Sequence, residues 1–183
     1  MKVLIVNTSK TGGGAAIAAN RLAAALQRAG VDATFISRKK KFPAFYWERF
    51  VIWARNKFSR NNLFAIDIAN VGEDITKTAD FMKADIIHLH WTNQGFLSLR
   101  CIDRIFKSGK PVVWTLHDMW PCTAICHHAR DCDSYTTECK YCRLLQEPSA
   151  NDMANDVFHD KQKIYDNAKM FIDTIIKAKP QTL

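Results

Sequence analysis

No apolar run in the chain reaches the roughly 18 to 20 residues that a helix needs to cross a bilayer, so a spanning helix is not expected. The opening stretch, MKVLIVN, is too briefly apolar for a secretory leader and turns polar at once. It reads as a first strand, and a cytoplasmic location is the expectation. Internal repeats and low-complexity linkers are missing too, which removes repeat architectures from consideration. Acids are short: 18 Asp and Glu stand against 26 Lys and Arg, a net charge of +8. The excess is local. Between Arg38 and Arg60 there are eight Lys or Arg (positions 38, 39, 40, 41, 49, 55, 57 and 60) against the single acid Glu48, and the rest of the chain is nearly neutral. These cations lie far in sequence from the cysteines, and no RNA-binding motif accompanies them, so nucleic acid is not an expected partner.

What remains is ordinary globular material. At 183 residues, 48% hydrophobic and 24% charged, the chain suits one domain with a real core. Segments that read as strands begin near Lys2, Asp32, Asp85 and Pro111 and alternate with helical periodicity, which predicts an α/β Rossmann-like parallel sheet flanked by helices. The domain is expected over residues 1–176, with a cysteine-rich loop insertion at 118–148 and a polar tail at 177–183. Helices are expected over Ala15 to Ala29, Leu99 to Lys107 and Asp152 to Ala168, and Met170 to Ile176 reads as a last strand. In the first helix Ala18, Ala19, Leu22, Leu26 and Ala29 form a small-residue face, and Gly30 ends it. Phe64 to Ile68 alternates weakly as a strand.

Open sheets of this kind bind ligands beyond the carboxyl ends of their strands, and four groups of residues fall there. Gly12, Gly13 and Gly14 stand between the first strand and its helix, where free backbone N–H groups and the positive helix end face an anion such as phosphate. The run is neither a Walker sequence nor a clean GxGxxG, and a tight turn alone would also account for it. His88 and His90 share one face of a buried strand. His88 reads as a hydrogen-bonded strand residue, whereas His90, with Trp91, Asn93 and Gln94 after it, is a candidate for substrate contact. His117 and Asp118 follow the strand Pro111 to Leu116 and are the candidate catalytic pair. Beyond them Cys126, Cys132, Cys139 and Cys142 are spaced C-x5-C-x6-C-x2-C in a polar loop that burial alone cannot shape. Four thiolates on a structural zinc suit that spacing, with Cys122, His127 and His128 as alternates for one position. Two disulfides in an oxidising compartment, or unliganded thiols, are the competing readings.

The segment from Phe45 to Phe58 has Tyr46, Trp47, Phe50, Val51, Ala54 and Phe58 at helical spacing beside Arg49, Lys57 and Arg60. Two placements compete. The aromatic face packs on its own domain, or residues 42–60 lie on an anionic membrane surface, peripheral at the inner face.

Ala84-Asp85-Ile86-Ile87-His88-Leu89-His90-Trp91, followed by Gly109-Lys110-Pro111-Val112-Val113-Trp114-Thr115-Leu116-His117-Asp118-Met119-Trp120-Pro121, resembles the amino-terminal domain of family-4 retaining glycosyltransferases of the GT-B fold. The likeness is particularly to the bacterial polysaccharide-building branch with a cysteine-rich loop after HDMWP. The resemblance implies sugar transfer from a nucleotide-diphosphate donor to a saccharide or lipid-linked acceptor, with this domain chiefly on the acceptor side. It implies that Gly12, Gly13 and Gly14 approach the donor diphosphate, that His117 lines the donor sugar, and that Asp118 orients His117 or contacts a hydroxyl. The zinc would then be structural, since the transfer itself demands no metal. Family members continue into a second, nucleotide-binding domain, so the chain is expected to need a separate C-terminal half and to be inactive alone. The alternative is a non-catalytic Rossmann-like binding module or truncated remnant.

Overall fold

A computed structural model describes residues 1–38 and 43–168. Four parallel strands, β1 (Lys2–Val6), β2 (Asp32–Ile36), β3 (Ile86–Leu89) and β4 (Val112–Trp114), form one sheet in the order β2-β1-β3-β4. Register is tight: Val6 lies beside Ile36 on one side and Leu89 on the other, and Leu89 beside Trp114. All four strands therefore end at one rim. Val3 to Val6 are buried on both faces, as a central parallel strand requires.

Helix α1 (Gly14–Arg28) covers one face. Its buried positions are Ala16, Ala19 and Ala23, packed on Val3 and Ile5. The face is turned from the expected one, since Ala18 and Ala29 are exposed; alanines on successive turns bring the helix closest to the strands, and the larger Leu22 and Leu26 flank that contact. On the other face, Leu4, Val6, Ile87 and Leu89 meet α4 (Leu99–Lys107) through Ile102, Ile105 and Phe106. The short helix α3 (Ala79–Lys83) contributes Phe81, and α5 (Met153–Asn167) packs along α4. Side chains cap the starts of α3, α4 and α5: Thr78 accepts from Phe81 N, Ser98 from Cys101 N, and Asp152 from Ala154 N and Asn155 N.

A second core joins Ile52 of α2 (Ala44–Arg55), Ile66 and Ile68, Ala124 and Ile125 of the cysteine loop, and Met153, Ala154 and Val157 of α5. Phe64 to Ile68 forms no strand; a single antiparallel bridge joins Ile66 to Cys126. The stripe on α2 is also reversed from an internally packed one. Glu48, Arg49 and Ile52 are buried, whereas Tyr46, Trp47 and Phe50 are each about half exposed. The reason is backbone satisfaction. Residues 63–69 run without a strand partner over most of their length, and buried peptide groups need partners. Glu48 accepts from Ile68 N and Ala69 N, and the Arg49 guanidinium donates to the carbonyls of Leu63 and Ile66.

Among the described residues, no helix is long and apolar enough to cross a membrane. The expected strand at Met170 to Ile176, the tail at 177–183 and the cations Lys39, Lys40 and Lys41 lie outside the described residues.

Candidate functional site

The rim is assembled by three connections between strand ends. Thr8, two residues past β1, donates its hydroxyl to the carbonyls of Trp91 and Asn93, and its N–H to Trp91 O at 2.7 Å. Asn7 Oδ1 accepts from Trp91 N at 3.0 Å. Across the next gap, His90 Nδ1 and His117 Nε2 share a hydrogen bond of 2.9 Å, with the rings stacked. The glycine turn, the segment after β3 and the histidine after β4 thus converge on one edge.

Gly12 and Gly13 both have φ near +81°, a left-handed backbone that favours glycine, and a Cβ on either would meet nothing within 4 Å. Gly13 caps α1 with no side-chain hydrogen bond, and the first turn holds no acid. Gly12, Gly13 and Gly14 are all exposed. The opening N–H groups of a 15-residue helix therefore face the rim with the positive end of its dipole.

Burial holds all three clustered imidazoles below their usual range. For His88 the neighbouring His117 adds to that effect, and for His90, brought to about 4, the positive forms of His88 and His117 do so. In His117 burial outweighs the opposing pull of Asp118. These rings are neutral at neutral pH. His88 is held by Thr115 Oγ1 at 2.8 Å, the strand role anticipated for it. His90 is only 3% exposed, with Nε2 buried and unpartnered; it backs His117 and does not open to the rim. Asn93 is equally buried, and its carbonyl serves Thr8. Gln94 gives its N–H to Asp67 Oδ2 at 3.3 Å and its carbonyl to Arg38.

Asp118 makes its hydrogen bonds away from His117. Its Oδ2 takes the indole N–H of Trp91 and the Nδ1 of His127, both at 2.7 Å, and its Oδ1 takes Trp120 N. His127 continues to Asp67 Oδ2 at 3.2 Å, and Arg49 holds Asp67 Oδ1 at 2.9 Å. Burial disfavours the His127 cation, but the hydrogen bonds to Asp118 and Asp67 outweigh it and lift the ring to about 9. The same bonds overcome burial in both carboxylates and hold them below their ordinary values. Glu48, at the far end, is pushed up to about 8 by burial and by the charge of Asp67. Sequence reasoning missed this chain from Glu48 to Trp91. Asp118 and Trp91 were singled out as candidate catalytic and substrate residues and His127 as an alternate metal ligand, but nothing in the sequence joined them to Asp67, Arg49 and Glu48.

Cys126, Cys132, Cys139 and Cys142 line one cavity of about 250 Å³ in the loop after β4. All six cysteines are unpaired. Among the described residues, no group of three or more His, Cys, Asp or Glu side chains stands in a metal-holding arrangement.

A family model described as Glycosyltransferase Family 4 matches residues 12–145. A protein of Escherichia coli (strain K12), named as a colanic acid biosynthesis glycosyl transferase (WcaC), is 30% identical over 99 residues, which cover 50% of this chain and 24% of that protein. The chain thus aligns with about a quarter of that relative's length. No solved structure matches the chain. The family match runs from the glycine turn through β2, β3 and β4 past the last loop cysteine and covers most of the chain, and on that ground the chain belongs to Glycosyltransferase Family 4.

Proposed function

We propose that the chain forms the acceptor-side half of a retaining glycosyltransferase of polysaccharide biosynthesis. It would serve transfer of a sugar from a nucleotide-diphosphate donor to a saccharide or lipid-linked acceptor. The supporting observation is the single rim on which the Gly12–Gly14 turn, Trp91 and His117 meet. Charge develops on the departing diphosphate, and pre-aimed donors stabilise it without reorganisation. The free N–H groups at the start of α1 are such donors. His117 is a neutral imidazole whose Nε2 is shared with His90, so Nδ1 is left to face the donor sugar. Trp91, half-buried and fixed by Asp118, offers an indole surface on the acceptor side.

Most contacts to the nucleotide would come from a second domain, so the chain by itself should not turn over donor. The exposed aromatics of α2 favour a peripheral contact with an anionic membrane. Trp47, Phe50 and Trp53 pack in a row with centroids 5.7 and 5.9 Å apart, and Trp53 meets Phe58 at 4.8 Å. Such an apolar surface suits a lipid interface and would bring the rim to a lipid-linked acceptor.

Titration of the chain with pyrophosphate and with UDP, followed by amide and imidazole NMR shifts, tests the site. Shifts confined to Gly12–Ala16 and His117 are expected. Shifts elsewhere, or none, would sink the assignment, and sugar transfer by the chain alone would refute the need for a second domain.

A further inference from the structure

The loop between β4 and α5 poses a physical problem. Over residues 115–152 it has only one three-residue 3-10 turn, Ser134–Thr136, yet it buries Trp120, Ile125 and Leu145. A segment of that length normally needs a device other than its own apolar surface to hold one shape. Its four cysteines are brought to a common cavity although they are spread over seventeen residues of sequence. Cys122 is not among the walls, and Cys101 lies in the sheet core.

The backbone around the terminal pair is arranged as thiolates require. Tyr141 takes φ 50°, which folds Cys139-Lys140-Tyr141-Cys142 into a tight turn. That turn is pinned from outside: Tyr141 N donates to Ser149 O, and Cys142 N to Asp152 Oδ2, the carboxylate that caps α5. Burial raises both terminal thiols, Cys142 to about 11, and the backbone of Ala124 at Cys139 and of Leu144 at Cys142 pulls the other way, as donors to sulfur do. Donors of that kind orient and stabilise metal-bound thiolates. A buried amine stands near, its pKa lowered well below the ordinary lysine value by burial. Lys161, 3% exposed, gives its hydrogen bonds to the carbonyls of Trp120 and Thr123 and lies 3.3 Å from the Trp120 ring centre.

The alternates drop out. His127 is committed to Asp67 and Asp118, and neither His128 nor Cys122 lines the cavity. We infer that Cys126, Cys132, Cys139 and Cys142 bind one zinc ion as four thiolates, and that this closed centre fixes the loop on α5. Binding ionises four thiols and leaves a ZnS₄ unit of charge −2, beside which the Lys161 ammonium gains a counter-charge. The four cysteines line the cavity without standing at ligand positions, so binding would draw their sulfurs together.

Metal analysis of the whole chain, purified under reducing conditions, tests the centre. About one zinc per chain is expected, and cobalt substitution should give the absorption of a tetrahedral thiolate site. C126S, C132S, C139S and C142S should each lose the metal, while C122S keeps it. Because loss of metal from a serine variant could also follow from failure to fold, the metal content of the unaltered chain is the deciding measurement. Six freely titratable thiols without metal, two disulfides found by mass spectrometry, or iron in place of zinc would each overturn the inference.

Discussion

His127 is the side chain whose setting most alters how the rim behaves. Its pKa, raised from 6.5 to about 9, means that its contribution to stability is complete below 6.5 and is lost as pH rises through 9. Glu48, raised from 4.5 to about 8, acts in the same direction: its contribution is complete below 4.5 and gone above 8. His90, lowered to about 4, has the opposite sign, and its contribution is present above 6.5 and lost as pH falls through 4. Urea unfolding across pH should therefore show stability falling on the alkaline side between 6.5 and 9. For His127 alone the loss is of the order of 3 kcal/mol, and His127→Gln should flatten that limb; an unchanged limb would show that the ring is not a buried cation. Glu48→Gln, which mimics the neutral acid, should fold nearly as well as the parent at pH 7. Arg49→Met should lose about 3 to 5 kcal/mol, because it leaves Asp67 Oδ1 and the carbonyls of Leu63 and Ile66 buried without their guanidinium donor. Gly13→Ala should lower stability by about 1 kcal/mol through its left-handed φ and weaken pyrophosphate binding. Of these residues, Gly13 was singled out in the sequence by its place after a strand. Glu48 and Arg49 were not, since nothing in local periodicity tells a charged pair that it will meet an unpaired backbone.

Helix α2 shows how an element can be located from its periodicity while its facing stays open. Its existence follows from helical spacing, and its observed span, Ala44–Arg55, starts one residue before the expected Phe45 and ends three before Phe58. Which side is inward depends on residues 63–69, whose irregular backbone asks for hydrogen bonds more than for apolar cover. The helix also meets the rim: a Cβ on Gly95 would stand 2.7 Å from Phe45 N, so Gly95→Ala should displace the start of α2. Vesicle flotation gives the test of the exposed face. The chain should bind vesicles rich in anionic lipid, and Trp47→Ser with Phe50→Ser should abolish binding while leaving thermal unfolding unchanged. Binding that survives the double substitution would remove α2 from the contact. By contrast β3, β4 and α4 were legible in place, because buried strand runs and clear helical periodicity leave one consistent choice.

For the whole molecule, the question is whether the cysteine loop is an appendage or part of the domain. Asp67, Trp120 and Lys161 tie the two cores: Trp120 lies in the sheet core, gives its indole N–H to Asp67 O and receives Lys161 of α5 on its ring. Ile125→Ala in the second core should then destabilise by about 2 to 5 kcal/mol, as Ile105→Ala should in the sheet core. Both variants should unfold in one transition by fluorescence and by circular dichroism. Two separable transitions for Ile125→Ala would make the loop an independent unit.

The order of strands and helices, the shared rim and the family motifs followed from the sequence by itself, because alternating β and α periodicity and right-handed crossovers leave few ways to build such a sheet. Tertiary structure alone decided that Asp118 serves Trp91 and His127 instead of His117, that α2 turns its aromatics outward, and that four distant cysteines share a cavity. Those outcomes depend on contacts between segments dozens of residues apart, where the need to pair buried charges and backbone groups overrides local pattern.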